Sequence, residues 1–181
     1  MSERGVDATA VTIRPARPAD VRAIHEIVQP YAHRRILIGK ELVDLYESIS
    51  EFSVAVEAPA APGEPERIVG CGALHVLWED IAEIRTLAVA PEYLRTGVGH
   101  QLVSALVERA RQFAIPRVFC LTFEVAFFTR QGFDEIEGTP VTPEVYAQLL
   151  RSHDDGVAEF LDLARAKPNT LGNSRMLLTM A

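Results

Sequence analysis

Two short constellations in this chain have residue types and spacing suited to chemistry. At Gly97-Val98-Gly99 a glycine turn stands directly before a segment with helical periodicity. Several main-chain amides and the positive end of a helix dipole would then face one point, which suits a phosphate group. A glycine turn is equally the ordinary means of packing a strand tightly against the next helix, and by itself the turn favours neither reading. It is not a P-loop, because no Lys-Ser/Thr pair follows, nor a Rossmann fingerprint, because the third glycine is missing. The second constellation is Glu83 and Arg85. The two-residue period of a strand puts them on one face, so a carboxylate and a guanidinium point the same way. For an arbitrary strand a cross-strand ion pair is the plainer role, worth under about 1 kcal/mol if exposed.

Other reactive residue types have duller readings. Setting Trp78 opposite Glu83 in the hairpin turns His75 to the other face, which favours a packed core histidine over a general base. Cys120 lies between Phe119 and Leu121 and reads as core, not nucleophile. Cys71 and Cys120 are the only cysteines, too few for a disulfide framework and not spaced as zinc ligands, so no metal is expected and a reducing cytoplasm is the simplest setting.

The elements that must position these residues follow from periodicity. Val11 to Arg14 reads as a strand, followed by a helix with Val21, Ile24, Ile27, Val28 and Tyr31 on one face, which Pro30 should kink or end. A second helix carries Leu42, Leu45, Tyr46 and Ile49, with Lys40 at its entrance. Strands follow at Phe52 to Glu57, Ile68 to Trp78 and Glu83 to Val89, the first two joined by a Pro/Ala tract that makes a hairpin tip. The clearest helix runs from Val98 to Phe113. Arg117 to Phe123 is a buried strand, then come a short helix capped by Gly132, a strand from Phe133 to Glu137, helices from Thr142 and from Gly156 to about Ala164, and a last strand from Ser174 to Met180. This order is an α/β domain with a mixed, mostly antiparallel sheet flanked by helices. Residues 1–10 read as a flexible N-terminus ahead of one domain, 11–181.

Composition narrows the partners. With 18 Lys plus Arg against 25 Asp plus Glu, the net charge is −7, and the basic residues form no tract, so nucleic acid is not expected. An anionic ligand would need positive potential supplied locally. No apolar run approaches the roughly 18 residues a membrane span requires, so a soluble, unprocessed protein without a membrane partner is expected. The oligomeric state is left open, a homodimer included.

Leu87-Ala-Val-Ala-Pro91, Tyr93-Leu-Arg-Thr-Gly-Val-Gly99 and Ala126-Phe-Phe-Thr-Arg-Gln-Gly-Phe133 together resemble the GNAT superfamily of acetyl-CoA-dependent N-acetyltransferases, over nearly the whole chain from Val11. The resemblance implies acetyl-CoA as co-substrate. It implies contacts from Leu87, Ala88, Val89, Arg95, Thr96, Gly97, Val98, Gly99 and His100, with Phe128 beside the pantetheine arm. There are two departures. Leu94 stands where the family usually has Gln or Arg. Phe128 stands where it often has the Tyr that protonates the departing thiolate, and phenylalanine has no proton to give.

Arg35-Ile-Leu-Ile-Gly-Lys40, Val69-Gly-Cys-Gly-Ala-Leu74, Ala82-Glu-Ile-Arg-Thr-Leu-Ala-Val89, Val118-Phe-Cys-Leu-Thr122 and Asn173-Ser-Arg-Met-Leu177 look, further, like the acetyltransferase domain of N-acetylglutamate synthases, in particular the short actinobacterial type. That likeness implies glutamate or glutamine as substrate and the first step of arginine biosynthesis. N-acetylation needs an amine deprotonated and cations on the carboxylates. Glu83 is the candidate base, directly or through water. Arg85 is the first candidate for substrate carboxylates, Lys40 the second, with Arg175 and Arg35 weaker. Thr122 is a candidate donor to the thiolate, though capping a strand end is its plainer role. The rivals are a GNAT enzyme for another small amine or a protein N-terminus, and an acyl-CoA sensor that lost its chemistry.

Overall fold

The computed structural model describes residues 11–59, 61–163 and 172–181. The N-terminal residues expected to be flexible lie outside them, and so does Ala164, but the helix expected to reach it already ends at Phe160. The elements run β1 (Val11–Pro15), α1 (Val21–His33), α2 (Leu42–Glu47), β2 (Phe52–Glu57), β3 (Arg67–Trp78), β4 (Ile81–Val89), α3 (Val98–Gln112), β5 (Arg117–Thr122), α4 (Val125–Thr129), β6 (Asp134–Ile136), α5 (Pro143–Leu149), α6 (Asp155–Phe160) and β7 (Ser174–Thr179). The chain makes a seven-stranded sheet in the order β1-β2-β3-β4-β5-β7-β6. Among the described residues only β4 and β5 pair in parallel. This is the mixed, mostly antiparallel sheet that the element order implies.

Both faces are covered. Alternation along β4 and β5 turns Ala82, Ile84, Val118 and Cys120 toward α3, where Val103, Leu106, Val107 and Ala110 complete one core. Gly72 marks the close crossing: a Cβ there would meet Leu106 Cδ1 at 2.9 Å. On the opposite face Val21, Ile24, Val28 and Leu45 of α1 and α2 pack on Phe52, Val54 and Cys71. Farther along that face Ile81 and Phe119 meet Leu149, Val157 and Phe160 of α5 and α6. Among the described residues no helix is long and apolar enough to cross a membrane.

Three expectations are corrected. Pro30 lies inside α1 without ending it, and the helix continues to His33. The missing amide costs one helical hydrogen bond, which the packing of the preceding turns tolerates. The β3–β4 connection is also tighter than expected. Trp78 pairs with Ile81, the register shifts between Val76 and Trp78, and Glu83 falls opposite His75. The short helix near the C-terminus begins at Asp155, one residue before Gly156, with the Asp154 side chain accepting from the Val157 amide at 2.8 Å.

Two irregularities of β4 open the sheet. A bulge sets Thr86 and Leu87 against the single residue Gly72, with Thr86 at φ 52°. Pairing with β5 stops at Ile84↔Cys120. Beyond that point β4 runs on without β5 beside it, and a cleft forms where the two part.

Candidate active site

A cavity of about 1320 Å³ occupies this cleft, and Glu83 and Arg85 lie on its wall. Glu83 is 3% exposed. Arg85 Nε donates to Glu83 Oε2 at 2.6 Å, and its Nη1 lies 2.9 Å from Asp154 Oδ1. Nη2 is buried with no hydrogen-bond partner among the described residues. Burial pushes the Glu83 carboxyl above its ordinary range, and Arg85 offsets only part of this. For Arg85, burial opposes the charge, but Glu83 and Asp154 outweigh it, so the guanidinium stays charged. Burial also acts against an ionised Asp154, and Arg85 and the Val157 amide reverse that, leaving its carboxyl below the usual range.

The other end of the cavity is the glycine turn. Leu87, Ala88, Val89, Arg95, Gly97, Gly99, His100 and Phe128 all line it. Gly97 has φ +94°, a conformation that turns the chain into α3 and that side chains resist. The first amides of α3 have no carbonyl within the helix to bond, so they remain for a ligand at its start. Gly99 lies close under the Phe127 ring, where a Cβ would be 3.4 Å from Cζ. Thr96 and Val98 do not line the cavity. The Thr96 hydroxyl donates to Tyr93 O at 2.6 Å, and Val98 is wholly buried in the core, so any contact they make to a ligand comes from the main chain. The turn therefore fits a pyrophosphate, with Arg95 beside it. Phe128 is buried in edge-on contact with Phe127 and Phe133 and offers shape alone.

Lys40 also lines the cavity, from the segment ahead of α2, and its charge reaches Asp154. Arg175 and Thr122 do not line the cavity. Arg175 shares the Glu83 face of the sheet, but its guanidinium lies 5.0 Å from the Phe119 ring centroid and donates to the carbonyls of Gly138, Glu159 and Phe160. Those bonds occupy Nε, Nη1 and Nη2, so it anchors the end of α6 instead of facing the cavity. Thr122 lies outside the lining, and its hydroxyl oxygen accepts from the Glu124 amide at 2.8 Å, a local turn at the strand end. Arg35 stays exposed off the lining, whereas its neighbour Arg34 lines it.

His75 is not the packed core residue expected. It is half-buried, on the Glu83 face, with Nδ1 2.9 Å from Glu51 Oε1. Asp154 and Gly156 also line the cavity, a placement the sequence did not indicate. A capping Asp ahead of a helix was legible there, but its pairing with a distant arginine was not.

The sequence profile of the acetyltransferase (GNAT) family matches residues 50–133. A Mycobacterium tuberculosis protein named amino-acid acetyltransferase is 55% identical over 180 residues, 99% of this chain and 100% of the relative. The chain belongs to the GNAT acetyltransferase family. A crystal structure from M. tuberculosis, in complex with CoA and a second ligand, superposes with TM-score 0.87 at 55% identity, covering 94% of this chain and 99% of that one. N-acetylglutamate synthase from Neisseria gonorrhoeae, complexed with coenzyme A and N-acetyl-glutamate, shares the GNAT fold. It superposes with TM-score 0.70 at 23% identity, over 94% of this chain and 35% of that one. The glycine turn at the head of α3 and the parting of β4 from β5 both fall within the residues that the family profile matches. Among the described residues no group of His, Cys, Asp and Glu is gathered to hold a metal.

Proposed function

We propose that this GNAT protein transfers the acetyl group of acetyl-CoA to the α-amino group of L-glutamate or L-glutamine. The observation that carries the reading is Arg85: a buried guanidinium beside a buried carboxylate, with one nitrogen unpartnered, on the wall of a cavity whose far end is a phosphate-type turn. A guanidinium so placed suits a carboxylate. The name of the M. tuberculosis relative, amino-acid acetyltransferase, supports the same class.

The residues divide the work. The amides at the head of α3, with Arg95 and the α3 dipole, hold the pyrophosphate, while Leu87 to Val89 and Phe128 flank the acyl arm. Arg85 holds a substrate carboxylate, aided by Lys40. Glu83, its proton affinity raised by burial, takes the ammonium proton directly or through one water, so the free amine can attack the thioester carbonyl. Phe128 cannot protonate the leaving thiolate, so that proton comes from solvent or another group in the cavity. The chain's direct-transfer chemistry needs only placed groups and no metal.

CoA release from acetyl-CoA, followed with glutamate, glutamine and spermidine as acceptors, tests the proposal. Release dependent on glutamate or glutamine and absent with spermidine is expected. Preference for spermidine, or release indifferent to any amine, would overturn it.

A further inference from the structure

The Arg85 guanidinium is held from a direction that its own strand does not supply. Glu83 takes Nε from β4 itself, but Asp154 takes Nη1 from the start of α6. Gly156 lies directly on the guanidinium: a Cβ there would stand 2.5 Å from Arg85 Cζ and 2.8 Å from both Nε and Nη2. Cβ atoms do not approach so closely, so a side chain at 156 would push the Arg85 guanidinium out of this place. The first turn of α6 is thus fitted around one side chain. Its last turn is fixed too, because Arg175 donates to the carbonyls of Glu159 and Phe160. With Nε and Nη1 engaged, Nη2 is the remaining donor, buried and without a partner among the described residues. A charged donor left unpaired is strongly unfavourable unless a ligand completes it.

Resting on the function proposed above, we infer that Asp154 and Gly156 are positioning residues that fix the Arg85 guanidinium with Nη2 presented to the carboxylate of the amino acid. The loop and first turn of α6 thereby set amino-acid affinity without touching acetyl-CoA. Asp154 has a second consequence through charge. The groups acting with Glu83 are Arg85 on β4, His75 on β3, Asp154 ahead of α6, Cys120 on β5 and Arg175 on β7, with Glu51 acting on Arg85. Of these, Asp154 opposes ionisation of Glu83, and Arg85 and His75 favour it. Removing the Asp154 charge therefore makes Glu83 easier to ionise.

The experiment compares Asp154→Asn and Gly156→Ala with the wild-type chain. Asparagine keeps an oxygen for the Val157 amide and removes only the charge, so a residue that merely capped α6 would give wild-type kinetics. Expected for Asp154→Asn is a KM for the amino acid raised about tenfold, with acetyl-CoA affinity by calorimetry unchanged and the acid limb of the rate profile moved to lower pH. Gly156→Ala should raise the same KM. In an Arg85→Lys background, where no guanidinium meets the new methyl, Gly156→Ala should add much less, a non-additivity that general damage to α6 would not produce. Wild-type KM and pH profile in Asp154→Asn, or full additivity in the Gly156 cycle, would overturn the inference while leaving the function intact. Should the wild-type chain itself release CoA without regard to amino acid, both readings fall together.

Discussion

His75 stands directly across from Glu83 in the β3–β4 ladder, and its Nδ1 lies 2.9 Å from Glu51 Oε1. The buried carboxylate thus has a half-buried imidazole on its own face of the sheet, next to the Arg85 it already binds. Protonated, that imidazole favours the ionised form of Glu83. The Glu83 carboxyl is thus influenced by a neighbour from the adjoining strand as well as by burial.

Glu83→Gln should bind acetyl-CoA as the wild type does and turn over slower by about 10²-fold or more. Because burial raises the Glu83 proton affinity, the wild-type rate should climb with pH through a limb above the ordinary Glu range, whose reference is 4.5. The glutamine variant should lack that limb. His75→Gln removes a group that favours ionisation of Glu83, so its limb should move to higher pH. Pre-steady-state and pH-rate measurements on both variants check this, and a limb unmoved in Glu83→Gln would remove it from the mechanism.

Arg85→Ala should lower kcat/KM for glutamate by tenfold or more, since charge-assisted bonds sheltered from water contribute about 1.5 to 3 kcal/mol and about 1.4 kcal/mol is a factor of ten. Lys40→Ala should act in the same direction more weakly, because Lys40 is only partly buried and offers a single point charge. Glutamine, with one carboxylate, is the internal control: a narrowed preference in Arg85→Ala assigns it to the side-chain carboxylate, and equal losses assign it to the α-carboxylate. Wild-type kinetics in both variants would place the substrate elsewhere.

The element order, the sheet type and most of the α3 face were legible because each is a local pattern: Val98, Leu102, Leu106, Ala110 and Phe113 recur at helical spacing, and all but Phe113, exposed just past the end of α3, are buried. The turn before α3 was legible for the same reason. The hairpin register was not, because a two-residue turn and a bulge between Val76 and Trp78 decide it, and a slip changes which face each side chain takes. Arg175 showed only as a cation on the last strand. That its guanidinium lies by Phe119 and Phe160 and bonds three carbonyls depends on segments far apart in sequence. The seat of Arg85 against Asp154 and Gly156 is non-local in the same way.

At the glycine turn, the two positions should fail for different reasons. A Cβ at Gly97 meets nothing within 4 Å, so Gly97→Val acts through its φ of +94° and should distort the entry to α3. Gly99→Val adds bulk beside Phe127 on the cavity wall and should obstruct the phosphates. Both should weaken acetyl-CoA by tenfold or more in calorimetry, with Gly97→Val alone lowering Tm appreciably. Unchanged affinity in both would mean the pyrophosphate lies elsewhere.

Acid stability should depend on Asp20. Its carboxylate takes Arg14 Nη1 at 2.8 Å, Arg14 Nη2 at 3.1 Å and the Arg17 amide at 2.7 Å, tying β1 to the entrance of α1. Burial pushes this carboxyl up, but the Arg14 bonds and the Arg17 amide outweigh it, and its proton affinity falls below the ordinary 3.8. A carboxyl depressed in the folded state stabilises fully above its unfolded value, and the contribution fades as pH falls through the folded value. The window therefore opens below about pH 5 and deepens past 3.8. Asp20→Asn keeps an acceptor for the Arg17 amide but strips Arg14 of the more buried of its two counter-charges. At pH 7 it should cost about 2 kcal/mol, as for loss of charge-assisted bonds in a part-buried pair. Urea midpoints for wild type and variant, measured from pH 7 to pH 3, should converge as the wild-type Asp20 protonates and loses what the variant already lacks. A gap that stays constant over that range would show that the Asp20 charge contributes nothing to folding and that only the shape of the side chain matters.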